Sequence, residues 1–271
     1  MVANSRYKMT LSLNVLNHLG INLYSSVPAV ISEVVANSWD ADAETVEISL
    51  DPNKKAIVIT DDGHGMTEKD INEKFLLVGY RRREDAGGAI TKKFKRRVMG
   101  RKGIGKLSLF SIARNIEAHT VKDGKKRGFR MVLKDIEKAI KNKGDSGGEY
   151  RPQELNESDI RISKGTKLII TDLKKKDLGQ AETALRKRLA RRFGVIGEKN
   201  HFVVKINGSP ISIKDRDYFH KIQYLWWFDS HGKAYRDLCR NMKDGEKRSG
   251  TIKGTKYKVS GWIGTVDTRE N

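Results

Sequence analysis

The stretch GRKGIGKLS, residues 100–108, limits the chain most, because it nearly spells a phosphate-binding P-loop and fails. Gly100, four residues, Gly105 and Lys106 have the right spacing, but Leu107 stands where a serine or threonine hydroxyl would meet a magnesium ion. Upstream, KKFKRRV carries too much charge for the buried parallel strand that feeds such a loop. If phosphate is held here, another part of the chain must hold the magnesium.

The remaining segments predict a mixed α and β fold. VPAVISEVVANSWDA reads as a helix, with Pro28 in its first turn and Val30, Ile31, Val34 and Val35 as an apolar stripe. LSLNVLNHLG before it reads as another helical piece. TVEISL and AIVIT alternate as adjacent strands across DPNKK. A turn at DDGHGM leads to a helix through TEKDINEKFLLV, capped by Thr67 or a neighbour. Residues 79–102 are basic, glycine-rich and aperiodic, which predicts a long mobile loop of the kind that serves as a lid. KLSLFSIA then begins a helix. NIEAHTV and GFRMVL read as a strand pair around KDGKK, KNKGDSGGEY as a surface insertion, and GTKLIITDL as a buried strand. AETALRKRLARRFG is a basic amphipathic helix and HFVVKINGSPISI a hairpin. YLWWF and YKVSGWIGTV suggest a second unit beyond Tyr218, incomplete at the chain's end.

Charge narrows the partners. The 271 residues carry a net +20, clustered in YRRRED, KKFKRR, GRKGIGK, KKKD and LRKRLARR. Each run alone reads as a solvated face, but together they attract polyanions such as nucleic acid or anionic lipid. With no run near the ~20 apolar residues of a membrane span and only Cys239 as a thiol, the chain is expected to be soluble, cytoplasmic and free of disulfides or cysteine-built zinc sites.

Four short pieces carry candidate chemistry. In ISEVVANSWDADA, Glu33, Asn37 and Asp40 are spaced four and three apart, so a helix places them on one face. They supply a carboxylate able to polarise water, an amide oxygen suited to a hard metal, and a second carboxylate. In TDDGHGMT, Gly63 and Gly65 let backbone approach a ligand, and Asp61 closes a strand. In GRKGIGKLS, glycine amides at a helix start make an anion nest, with Lys106 adding charge. In KGTKLIIT, Thr166 offers a hydroxyl just before a buried strand.

In this order and spacing the four pieces resemble the nucleotide site of the GHKL superfamily: gyrase-type topoisomerases, heat-shock chaperone ATPases, histidine kinases, and MutL-like and MORC-like proteins. The resemblance covers about residues 11–172. It implies a Bergerat fold, an α+β two-layer sandwich with a mixed, mostly antiparallel sheet and helices on one face. Residues 1–215 would form the ATP-binding domain, with a lid at about 79–105, and 216–271 the linker and start of a transducer-like domain. It implies ATP and Mg2+ as ligands. Glu33 would be the general base, and Asn37 the magnesium ligand. Asp40 would support the site through water or neighbouring side chains. Asp61 would accept the adenine amino group, with Gly63 in its turn. Gly65 would let the base approach, Met66 would pack on it, and Thr166 would join the network around it. Gly103, Ile104, Gly105 and Lys106 would hold the phosphates as the lid closes. His64 sits at a variable position of the turn and reads as structural.

Histidine kinases need a phosphoacceptor helix pair, for which there is no room before Leu11. MutL-like or MORC-like ATPases remain, dimerising on DNA when the lid closes, in repair or defence. So does a chaperone-like ATPase acting on protein clients, and so does an ATP sensor without turnover. In many members a distal lysine reaches back from the next domain. It would lie outside this chain, and slow turnover would follow.

Overall fold

The computed structural model describes residues 9–11, 26–77, 88–100, 108–141, 148–174, 178, 181–228, 235–239, 241–248, 256, 258–259 and 261–266. The chain divides into two compact units, Met1–Ile211 and Ser212–Asn271.

In the first unit the elements run β1 (Met9–Leu11), α1 (Val27–Asp40), β2 (Thr45–Asp51), β3 (Ala56–Asp61) and α2 (Glu68–Asp70), which continues as a π-turn over Ile71–Phe75. Then follow α3 (Leu109–Ile112), β4 (Ala113–Lys122), β5 (Lys125–Val132), α4 (Leu133–Lys141), β6 (Gly148–Tyr150) and β7 (Gln153–Glu154). After them come β8 (Gly165–Leu173), α5 (Ala181–Arg192), β9 (Val203–Ile206) and β10 (Ser209–Pro210). Eight strands form one sheet in the order β10-β9-β2-β3-β8-β4-β5-β7. Every neighbouring pair is antiparallel except β2 with β9. Strands β1 and β6 pair separately. This is the mixed, mostly antiparallel Bergerat-type sandwich, with its helices on one face.

Local chemistry explains these elements. In β2, Val46, Ile48 and Leu50 are buried while the residues between them face outward, the period of two that a half-covered strand requires. The β4–β5 hairpin turns at Asp123 and Gly124, both at positive φ, and β9–β10 turns at Asn207 and Gly208 in the same way. Helix α1 has Pro28 in its first turn. It ends in a Schellman arrangement, with Ala43 N–H donating to Ser38 O and Asp42 N–H to Trp39 O, and Asp42 is left-handed at φ 58°. Its buried residues are not confined to one stripe, because the helix packs on both the sheet and α5.

Some segments differ from their sequence reading. Helix α3 is one turn, since chain entering at Ala113 is taken up as β4 beside β8. The end of the expected surface insertion, Gly148–Tyr150, pairs with β1. Helix α4 stands where the sequence predicts no helix, although Leu133 and Ile136 are a helical step apart and both buried. The piece LSLNVLNHLG lies almost wholly outside the described residues.

The second unit contains β11 (Tyr224–Trp227), β12 (Asp244–Lys247) and β13 (Trp262–Thr265) in the order β12-β11-β13. One sheet face packs Leu225 and Trp227 with Phe219 and Ile222, and Trp262 lies 5.4 Å from the Phe219 ring. Trp227 is therefore a core residue, and Trp226 is half-buried on the opposite face.

Candidate functional site: a polar row at the end of an apolar sheet face

The core face of the central strands is ordered in rows. Ile57, Ile170 and Ile116 lie side by side across β3, β8 and β4, and Ile59, Leu168 and Ala118 form the next row. Two residues further on, the same alternation brings Asp61, Thr166 and Thr120 together. An apolar wall thus ends in a carboxylate and two hydroxyls, at positions where the pleat would bury aliphatic side chains.

Each member of this row is held. Asp61 is buried, and its two oxygens accept from the Gly63 N–H at 3.0 Å and the Ser38 hydroxyl at 3.1 Å. Burial pushes its carboxyl up to about 6, against the Gly63, Ser38 and Thr166 hydrogen bonds that favour the charged form. The Thr120 hydroxyl accepts from Met66 N–H at 2.9 Å, donates to Gly165 O at 3.1 Å, and lies 3.4 Å from the Thr166 hydroxyl. Ser38 and Thr120 were not singled out in the sequence. Nothing local marks them: a threonine mid-strand and a serine mid-helix acquire meaning only from their register opposite Thr166 and Asp61.

The glycines fit their places sterically. At Gly65 φ is +63°, and a Cβ built there would lie 2.1 Å from the Val121 carbonyl oxygen. At Gly63 it would lie 2.8 Å from Ala41 O. Gly65 is thus required by the backbone of β4 itself. Met66 is half-buried against the core. His64 is exposed; its N–H donates to Ala41 O, and its ring Nδ1 lies 2.6 Å from Gly65 O. Neighbouring Asp62 braces the turn by accepting from the N–H groups of Glu44 and Thr45, both at 2.8 Å.

Helix α1 supplies the other candidates. Glu33 is half-buried, and its Oε1 accepts from Arg192 Nη2 at 2.9 Å. Asn37 is exposed. Asp40 is buried, with partners that include the Met99 N–H at 2.7 Å and the Gly100 N–H at 2.9 Å. Its carboxylate therefore grips backbone at the start of the glycine run, rather than only water and side chains.

Residues 88–100, expected as part of a long mobile loop, are packed on the end of α1. Asp42 accepts from the N–H groups of Lys93 and Phe94, and Trp39 Nε1 donates to Arg97 O at 3.0 Å. Arg96 is buried among aromatic rings, its guanidinium 4.3 Å from Trp39 and 4.4 Å from Phe94, and it donates to the carbonyls of Ala43 and His201, both at 2.7 Å. The ring faces and carbonyls offset part of the hydration that the buried cation gives up, and burial still lowers its pKa. Gly103, Ile104, Gly105 and Lys106 lie outside the described residues, as does much of the remaining lid span.

Chemically, the row offers an acceptor and hydroxyls suited to a flat heterocycle bearing an amine. The exposed Asn37 side chain carries a hard amide oxygen of the kind that suits magnesium, an ion that keeps most of its shell in water and phosphate oxygens and needs few protein ligands. Among the described residues no group of three or more His, Cys, Asp or Glu is placed to hold a metal ion. None of the described helices is long and apolar enough to cross a membrane.

Comparison with known proteins bears on this arrangement. Residues 24–164 match the family described as "Histidine kinase-, DNA gyrase B-, and HSP90-like ATPase". The chain is 40% identical to the "Putative type II restriction enzyme HgiDII" of Herpetosiphon aurantiacus, over 98% of this chain and 42% of that protein. It is 21% identical to the chaperone protein HtpG of Buchnera aphidicola, over 83% of this chain and 38% of that protein. The chain thus spans about two fifths of the length of these relatives. With the polar row of β3, β8 and β4 inside a Bergerat-type sandwich and the family match covering more than half of the residues, the chain belongs to the histidine kinase-, DNA gyrase B- and HSP90-like ATPases.

Proposed function

We propose that this chain binds ATP with magnesium and hydrolyses it slowly, and that nucleotide binding drives lid closure and dimerisation in a DNA-associated machine of the defence or repair type. The observation that carries the nucleotide reading is the row Asp61–Thr166–Thr120, with Ser38 and Gly63 fixing the carboxylate. An acceptor there reads the exocyclic amine of adenine and rejects guanine, whose carbonyl would leave two acceptors facing each other. Gly65 and Met66 complete the base pocket. Asn37 would hold the magnesium ion, which neutralises phosphate charge when bound. Glu33 removes a proton from the attacking water, with Asp40 fixing the lid stem and Gly103, Ile104, Gly105 and Lys106 receiving the phosphates.

Two observations favour DNA over a protein client. The net charge of +20 is concentrated in basic runs, among them the exposed Lys187, Arg188 and Arg191 of α5. The Herpetosiphon relative bears a restriction-enzyme name. The HtpG likeness supports the second reading, a chaperone-like ATPase, at lower identity. In both readings residues 216–271 are linker and transducer-like domain, and the protein works in the cytoplasm.

Calorimetric titration with ATP and GTP, with and without magnesium, tests the nucleotide reading; equal affinity for the two would defeat it. DNA binding measured across a salt series tests the machine: phosphate contacts predict a steep linear fall of log K with log salt. Binding that is absent or salt-independent favours the protein-client reading. Light scattering with a non-hydrolysable analogue tests dimerisation.

A further inference from the structure

Helix α5 lies outside the family-matched segment, which ends at residue 164. Its last turn nevertheless reaches the residue on which the proposed hydrolysis depends. Arg192 Nη2 donates to Glu33 Oε1 at 2.9 Å, with the two side chains 37% and 24% exposed. The place of Arg192 is set independently of that contact. Leu185, Leu189, Ala190 and Phe193 are buried in the main core, α5 packs on α1, and the Arg192 guanidinium lies 5.3 Å from the Phe193 ring.

An ion pair this exposed adds little to stability. Its effect is therefore sought in orientation. Glu33 is a flexible side chain on a half-buried helix face, and a planar guanidinium gripping one carboxylate oxygen removes rotational freedom that a general base cannot afford at the moment of proton transfer.

We propose that Arg192 is a positioning residue for ATP hydrolysis: from outside the family-matched segment, α5 holds the Glu33 carboxylate in the orientation from which it takes the proton of water. This rests on the reading of Glu33 as general base. The arrangement makes the nucleotide domain catalytically incomplete without residues 181–193, although the base pocket is built by earlier strands and β8.

The experiment compares steady-state ATP hydrolysis and ATP binding by the full chain and its Arg192→Gln, Arg192→Lys, Glu33→Gln and Glu33→Gln/Arg192→Gln variants, with thermal unfolding as the folding control. Arg192→Gln is expected to lower kcat roughly ten- to a hundredfold, the scale of a slightly misplaced group, with KM for ATP and melting unchanged. Arg192→Lys restores part of kcat, and the double variant is no slower than Glu33→Gln alone. Wild-type or faster turnover in Arg192→Gln beside an inactive Glu33→Gln overturns the positioning role and leaves the base reading standing. The same follows if Arg192→Gln causes an equal further loss in the Glu33→Gln background. Wild-type turnover in Glu33→Gln removes the base reading, and this proposal with it.

Discussion

Asp40 Oδ2 accepts a hydrogen bond from the Gly100 backbone N–H at 2.9 Å, while its other oxygen accepts from Met99 N–H. The carboxylate is buried and joins the last turn of α1 to the residue that opens GRKGIGKLS. A helix carrying Glu33 and Asn37 is thereby tied to the stem of the proposed phosphate lid. Asp40→Asn replaces one acceptor with an NH2 that faces a backbone N–H. Leaving such a buried donor unsatisfied costs about 1–3 kcal/mol. Chemical denaturation should show that loss, and limited proteolysis should show faster cleavage within residues 88–100. Unaltered stability and cleavage would mean that the anchor is idle.

Glu33 and Asn37 lie one helical turn apart, but the proposed roles separate them kinetically. Glu33→Ala should bind ATP normally and lose roughly 10² to 10⁴ in turnover, the usual worth of a positioned base. Asn37→Ala should instead raise the dissociation constant for magnesium-ATP. Titration calorimetry beside single-turnover hydrolysis distinguishes them. Matching losses of affinity in both variants would contradict the assignment.

In its proposed role at the adenine amine, Asp61 should make stability and binding depend on pH in opposite senses. Its carboxyl is raised from 3.8 to about 6, so between those values the folded protein holds a proton that the unfolded chain releases. Stability is greatest below 3.8, falls as pH rises towards 6, and is level above it as far as this group is concerned; a shift of this size is worth about 3 kcal/mol. Asp61→Asn should therefore be the more stable protein above pH 6 without nucleotide. ATP affinity should rise as pH passes upward through about 6, because the ionised carboxylate is the better acceptor for an amine. Denaturation and ATP titration at pH 5 and 7.5 check both signs.

Gly65 and Gly165 are expected to tolerate no side chain. Alanine at residue 65 would set a methyl against Val121 O, and at residue 165 it would lie 2.0 Å from Asp61 O, with φ +79°. Each substitution combines a left-handed backbone with a backbone clash, so the loss should exceed the ~1 kcal/mol of the conformational effect alone. Gly124 also has positive φ, but nothing lies within 4 Å of a Cβ there. Gly124→Ala is the control that isolates strain from collision, and the three melting temperatures should rank accordingly.

Much of this protein was legible in its sequence because local periodicity reports local burial. The alternation of TVEISL and AIVIT gave β2 and β3, the spacing of Val30, Ile31, Val34 and Val35 gave α1, and the glycines of DDGHGM gave a turn whose backbone approaches a neighbour. Family membership was legible for a different reason: four motifs stand in the chain as short strings in a set order. What the sequence could not show was adjacency between distant segments. Thr120 enters the row beside Asp61 only because β8 inserts between β3 and β4, Asp40 meets Gly100 only because residues 88–100 fold back onto α1, and Arg192 meets Glu33 only because α5 packs against α1. Periodicity fixes which side of an element faces inward, but strand order and helix packing decide which inward side chains touch. They are settled by burial of the whole core at once, and no local string encodes them.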